Sequence, residues 1–222
     1  MIIPQMTLKL TTFLSCFLIG VSSASAQKST LLESTIKKYK RSSLVTMMVD
    51  KKVTSELIGK EVVYSGEISL AGKLFRWDTN TPEESILLFD GKTIWSVQKP
   101  PKDLPGPIQV SKSQNIKQIQ KQSLLSILLG EEKVNENFKI LNEIEANGTK
   151  VISLEPLKKD LSVKNLVVKI DVKKQELTQV SYIDDLSNQT ELVFKKTKFS
   201  SKKPNSKLFK YNPPKGAQVT EI

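Results

Sequence analysis

Three acidic pairs, Glu83-Glu84, Glu131-Glu132 and Asp184-Asp185, are the side chains whose type and spacing could do chemistry. Two neighbouring carboxylates can divide the roles of acid and base, as in glycoside hydrolysis. Each of these pairs, however, reads as lying in or beside a turn, where such carboxylates are ordinarily solvated surface groups. Other catalytic side chains are missing outright. The sequence has no histidine and a single cysteine, Cys16. Cys16 falls in a leader marked for removal, so the mature chain is left without a thiol nucleophile, a disulfide, an imidazole base or the usual zinc ligands. No catalytic residue, metal ligand or cofactor is predicted, and the chain does not read as an enzyme.

The leader is residues 1–26. Lys9 is its one charge, an apolar run follows from Leu10 to Val21, and the small residues Ala24-Ser25-Ala26 close it. That order is a secretory signal with cleavage before Gln27, and the run is too short to span a membrane. Residues 27–222 are expected to form a single domain, which must be held by its core because no disulfide can staple it. The formal charge is +11, from 34 lysines and arginines against 23 acids. Such a balance suits anionic surfaces or nucleic acid. Only Arg41 and Arg76 are arginines, though, and base-edge and phosphate recognition leans on the guanidinium fork. With the lysines scattered along the chain, no nucleic-acid partner is expected.

The positioning elements are mostly strands. Thr30-Leu31-Leu32-Glu33 is a capping box that opens a short amphipathic helix to about Arg41, with Leu32, Ile36 and Tyr39 on one face. Val45 to Val49 and Val62 to Leu70 then read as strands joined around Gly59, and Ala71-Gly72 turns into a strand at Leu74 to Trp77. Alternation from there puts Ala71, Lys73, Phe75 and Trp77 on one face and Arg76 on the other. Asp90-Gly91 between two apolar runs predicts a two-residue hairpin that sets Phe89 opposite Lys92, Leu88 opposite Thr93 and Ile86 opposite Trp95. Both faces of this hairpin are apolar, so both must be covered, or one must line a cavity. After an irregular stretch from Pro100 to Pro107, Gln118 to Leu129 reads as a helix apolar around most of its circumference. Strands return at Phe138 to Ile144, Lys150 to Leu154, Leu166 to Val172, Leu177 to Ile183 and Thr190 to Lys196, with Asn147-Gly148 as a turn.

Taken in order, Leu74-Phe75-Arg76-Trp77, Pro82, Ser85-Ile86-Leu87, Asp90-Gly91-Lys92-Thr93-Ile94-Trp95, Leu124-Leu125, Leu128-Leu129-Gly130, Asp184 to Thr190 and Leu208 to Val219 resemble the periplasmic outer-membrane lipoprotein carrier family (LolA-like) of Gram-negative bacteria. The resemblance implies a mainly β (α+β) fold, an unclosed antiparallel β-barrel of about eleven strands covered by short helices that form a lid. It also implies an apolar cavity for the acyl chains of lipoproteins. By this likeness Phe75, Trp77, Ile86, Leu88 and Trp95 are candidate cavity residues, and Leu124, Leu125 and Leu128 belong to the lid. The family has an arginine and a proline before its F-x-W strand, the arginine hydrogen-bonding to the lid; here those positions read Ala71-Gly72.

The function expected is that of a periplasmic carrier, a monomer. It would take acylated lipoproteins from an inner-membrane lipoprotein-releasing transporter and deliver them to an outer-membrane lipoprotein receptor. Two alternatives stand beside it: a binding protein for another lipid or glycolipid, and a non-carrier receptor module on the same scaffold.

Overall fold

The computed structural model describes residues 30–114, 134–157 and 163–222. The leader and the apolar segment containing Leu124, Leu125 and Leu128 therefore lie outside the described residues. The chain opens with helix α1 (Thr30–Arg41), where the capping box predicts it. Next come β1 (Leu44–Thr54), β2 (Glu61–Ala71), β3 (Leu74–Thr81), β4 (Ser85–Phe89), β5 (Ile94–Gln98) and β6 (Gln109–Ser113). A single helical turn, α2 (Val134–Asn137), leads into β7 (Phe138–Ala146), β8 (Thr149–Pro156), β9 (Val163–Asp171), β10 (Glu176–Asp184), β11 (Gln189–Ser200) and β12 (Gln218–Glu221).

The twelve strands of the described residues form one open sheet in the order β12-β6-β5-β4-β3-β2-β1-β11-β10-β9-β8-β7. Every neighbouring pair is antiparallel except β12 on β6. The sheet is thus the mainly β, unclosed one expected, with one strand more than the resemblance implies. The strands that the residue pattern does not announce are β6 and β12. Val110 is the sole apolar side chain in Gln109–Ser113, and β12 finds its parallel partner about a hundred residues away in sequence, where no local pattern can signal it.

One face carries the core. Val45, Met47 and Val49 of β1, Ile68 and Leu70 of β2, Phe75 of β3, Phe89 of β4 and Ile94 of β5 join Ile152, Leu154, Leu166, Val168, Ile170, Leu177, Val180, Leu192 and Phe194 from the other half. Helix α1 lies on this face and adds Leu32, Ile36 and Tyr39 to the same cluster. Tyr39 fixes it there: its hydroxyl oxygen accepts the Leu177 N–H at 3.0 Å, and its ring meets Phe199 edge-on at 5.1 Å. Burial raises the Tyr39 phenol to about 12, partly opposed by its hydrogen bonds.

Two local readings need correction. The hairpin turn is centred one residue later than the Asp90-Gly91 pattern predicts: Phe89 faces Ile94, Leu88 faces Trp95 and Ile86 faces Val97. The cause is the Asp90 side chain. Its Oδ1 accepts the Lys92 and Thr93 N–H groups at 2.9 and 2.8 Å, while its Oδ2 accepts the Trp95 indole N–H at 3.0 Å. Asp90 is therefore the first residue of the turn and not its centre, and Gly91 takes the positive φ, 96°. The second correction concerns the face of Ala71. Ala71 pairs with Leu74 and Leu70 with Phe75, because Gly72 (φ 59°) and Lys73 form a tight turn that reverses direction and ends the alternation. Ala71 therefore shares its face with Arg76 and not with Phe75 and Trp77.

Candidate functional site

Facing pairs along an antiparallel ladder point to one side of the sheet, so the register sorts the candidate residues. Phe75 pairs with Leu70 and Phe89, and Trp77 pairs with Ile68 and Leu87. These two lie on the core face. Leu88 pairs with Arg76 and Trp95, and Ile86 with Asp78 and Val97. Ile86, Leu88 and Trp95 therefore occupy the opposite face. The described candidates form two groups, two residues on one side and three on the other, and the structure does not bring them together.

The second group is covered by the tail. Arg76 forks onto Asp78, with Nε and Nη2 donating to its two carboxylate oxygens at 2.6 and 2.7 Å, and Nη1 reaches the Leu208 carbonyl at 3.1 Å. The chain that follows carries Phe209, which is 4% exposed, and Tyr211, whose ring stands 5.7 Å from that of Trp95. Leu88 is fully buried on this side. A cleft of about 680 Å³ remains between the hairpin and residues 203–212, with Leu74, Trp95, Phe209 and Tyr211 in its wall. The apolar hairpin is thus covered on both faces, by the core on one and by the closing motif on the other. On this side Trp95 meets the tail through Tyr211, and Arg76 holds it through the Leu208 carbonyl.

On the core face the two remaining candidates differ. Phe75 is 1% exposed and belongs to the cluster itself. Trp77 is only partly buried and packs against the cluster from its rim, together with Leu87, Tyr182, Ile140, Leu31 and Phe199. Sequence reasoning missed Leu87 and Tyr182. The partnership of Leu87 with Trp77 was recoverable, since both alternate in step with buried phenylalanines two residues away. Trp77, Leu87 and Tyr182 are among the described aromatic and aliphatic side chains that could meet a further apolar molecule without dismantling the core. The described chain is on this face at Ser113 and again at Val134: Ser113 is buried opposite Ile94, and Val134 is a member of the cluster.

One charged residue accompanies the rim. Lys51 pairs with Tyr64 and with Leu192, so it projects from the core face. Its ammonium lies 5.8 Å from the Tyr64 ring centre and 5.6 Å from that of Trp77. Burial pushes its pKa below the usual lysine value, with Asp184 pulling weakly the other way. The arrangement can hold apolar chains and offer a cation at their end. It contains no nucleophile placed against a base among the described residues.

Similarity to known proteins agrees with this geometry. The family described as "Outer membrane lipoprotein carrier protein LolA" matches residues 50–212. An outer-membrane lipoprotein carrier protein of Azotobacter vinelandii is 28% identical over 159 residues, 71% of this chain and 72% of the relative. One of Chromobacterium violaceum is 27% identical over 177 residues, 78% of this chain and 80% of the relative. Among solved structures, an uncharacterized conserved protein of Thermus thermophilus superposes with a TM-score of 0.53 at 13% identity, covering 88% of this chain and all of that one; at that identity the likeness concerns the fold alone. With a family match spanning most of the chain, this protein belongs to the outer-membrane lipoprotein carrier family.

Proposed function

We propose that the protein is a periplasmic carrier that shelters the acyl chains of lipoproteins against the core face of its open sheet. In this reading it works as a monomer, exported by a signal that is removed. It takes its cargo from an inner-membrane lipoprotein-releasing transporter and hands it to an outer-membrane receptor. The observation that carries the proposal is the family match over residues 50–212. The physical setting supports it. Each buried CH₂ is worth ~0.8 kcal/mol, so acyl chains do not cross water unaided. A carrier must also let go, which a rim of partly buried side chains on an unclosed sheet permits better than a sealed core. Carriage of this kind calls for binding and release, with no bond made or broken by the protein.

The test is release. Purified protein added to spheroplasts of a Gram-negative host should bring newly made acylated lipoprotein into the soluble fraction as a stoichiometric complex. A folded sample that releases none would overturn the proposal. A second reading, carriage of another lipid or glycolipid, is favoured by Ala71-Gly72 standing where the family has arginine and proline. In that case mass spectrometry of organic extracts would find a free lipid on the protein as isolated.

A further inference from the structure

The rim of the core face contains two hydrogen-bond donors with nothing to donate to among the described residues. Lys51 makes no hydrogen bond or ion pair there; its contacts are the Tyr64 and Trp77 rings. The indole N–H of Trp77 is buried and has no acceptor. Asp184 is the acid that acts on Lys51, and its oxygens are committed to the β10–β11 turn. There Oδ1 accepts the Leu186 and Asn188 N–H groups at 2.9 Å each, and Oδ2 accepts the Asn188 side-chain amide at 3.0 Å. A buried donor without an acceptor costs about 1–3 kcal/mol, and more when it is charged. The Trp77 indole carries that cost; Lys51 is half-buried, with its ammonium beside the same tryptophan ring, so a ligand that supplies an oxygen acceptor there could relieve the indole and meet the charge together.

We infer that Lys51 and the Trp77 indole form a polar subsite at the end of the apolar surface, which takes the carboxylate or ester oxygens at the head of a bound acyl chain. The inference rests on the acyl-binding reading above and adds to it the orientation of the chain. Methylenes lie along Trp77, Leu87 and the cluster, and the oxygen-bearing end lies against Lys51. A cation flanked by aromatic faces holds an oxygen acceptor and disfavours a cationic head. The sequence conceals this subsite, because a lysine beside Asp50 and Lys52 reads as solvated surface.

Displacement of Nile red by three ligands of one chain length, dodecanoate, methyl dodecanoate and dodecyltrimethylammonium, tests it. The wild type should bind the cation roughly tenfold or more weakly than dodecanoate. Lys51→Met, which keeps the length and loses the charge, should weaken dodecanoate about tenfold and leave the cation unchanged or tighter, so that the preference disappears. Trp77→Phe should weaken the oxygen-bearing ligands severalfold with little effect on the cation. A matching loss for the methyl ester assigns the subsite to ester oxygens, and a loss confined to dodecanoate assigns it to carboxylates. Equal losses for all three heads, or none for any, would overturn the inference and leave the apolar surface standing. If no ligand displaces the dye from wild-type protein, the acyl-binding reading fails with it. Retained thermal stability of Lys51→Met is expected, since a desolvated charge is removed.

Discussion

Tyr39 shows how one side chain carries an element. It closes α1 against the sheet by accepting the Leu177 N–H and packing edge-on to Phe199. Its ionisation should therefore be visible in stability. The folded phenol is raised to about 12 from an ordinary 10.0. For an acid held neutral in the fold, the stabilisation is fully present below pH 10. It falls as the unfolded state begins to ionise and is lost as pH rises through the folded value. Urea unfolding should show stability declining between about pH 10 and 12, and Tyr39→Phe should flatten that decline. At neutral pH the same substitution should cost about 1–2 kcal/mol, because it leaves the Leu177 N–H without its acceptor. An unchanged alkaline slope in the variant would mean that other groups set it. Phe75 and Trp77 make a different contrast at this scale. They share a strand and a face, yet one is sealed in the cluster and the other sits at its rim, so Trp77 is the one suited to report on the proposed acyl ligand.

At the scale of elements, the β2–β3 pair depends on a glycine for room. The register shifts between Ser65 and Gly66, and such a bulge brings the neighbouring strand unusually close. A Cβ on Gly66 would stand 2.0 Å from the Asp78 carbonyl oxygen, a backbone atom that no side-chain adjustment can move. Gly66→Ala should destabilise the protein by about 3 kcal/mol or more. Gly148→Ala, where nothing lies within 4 Å of the added atom but φ is +74°, should cost only about 1 kcal/mol of backbone strain. Similar losses for the two in denaturant titration would show that the strands part readily at the bulge. The same elements show where residues declare their structure and where they do not. The capping box and the alternation of Phe75 and Trp77 are local, and both are legible. The hairpin register depended on which groups Asp90 would bind, and the face of Ala71 on a turn that cancels alternation. β6 and β12 depend on a pairing remote in sequence. The site was half legible for a related reason: alternation finds apolar partners, and it discounts a lysine such as Lys51 whose ring partners stand one and two strands away in the sheet.

For the whole molecule, the central seam is β1 against β11, paired from Leu44 with Ser200 to Thr54 with Gln189. On one side lie β2 to β6 and β12; on the other lie β10, β9, β8 and β7. The core spans the seam, since one cluster joins Leu70 and Phe75 on one side to Leu177 and Val180 on the other, while α1 is tied to the β10–β11 side through Tyr39. A core that crosses the seam without a break should unfold as one unit, the single domain that residues 27–222 are expected to form. The two tryptophans allow a direct check. Trp77 and Trp95 lie in β3 and β5, so their fluorescence reports on one side only, whereas far-ultraviolet circular dichroism averages over all twelve strands. The two signals should trace one transition with a common midpoint in urea. Midpoints that separate would mean that the β7–β10 side melts independently of the tryptophan side. The proposed acyl-binding face would then be shared between two units coupled through β1 and β11, and an acyl ligand would be expected to raise the midpoint of the weaker one first.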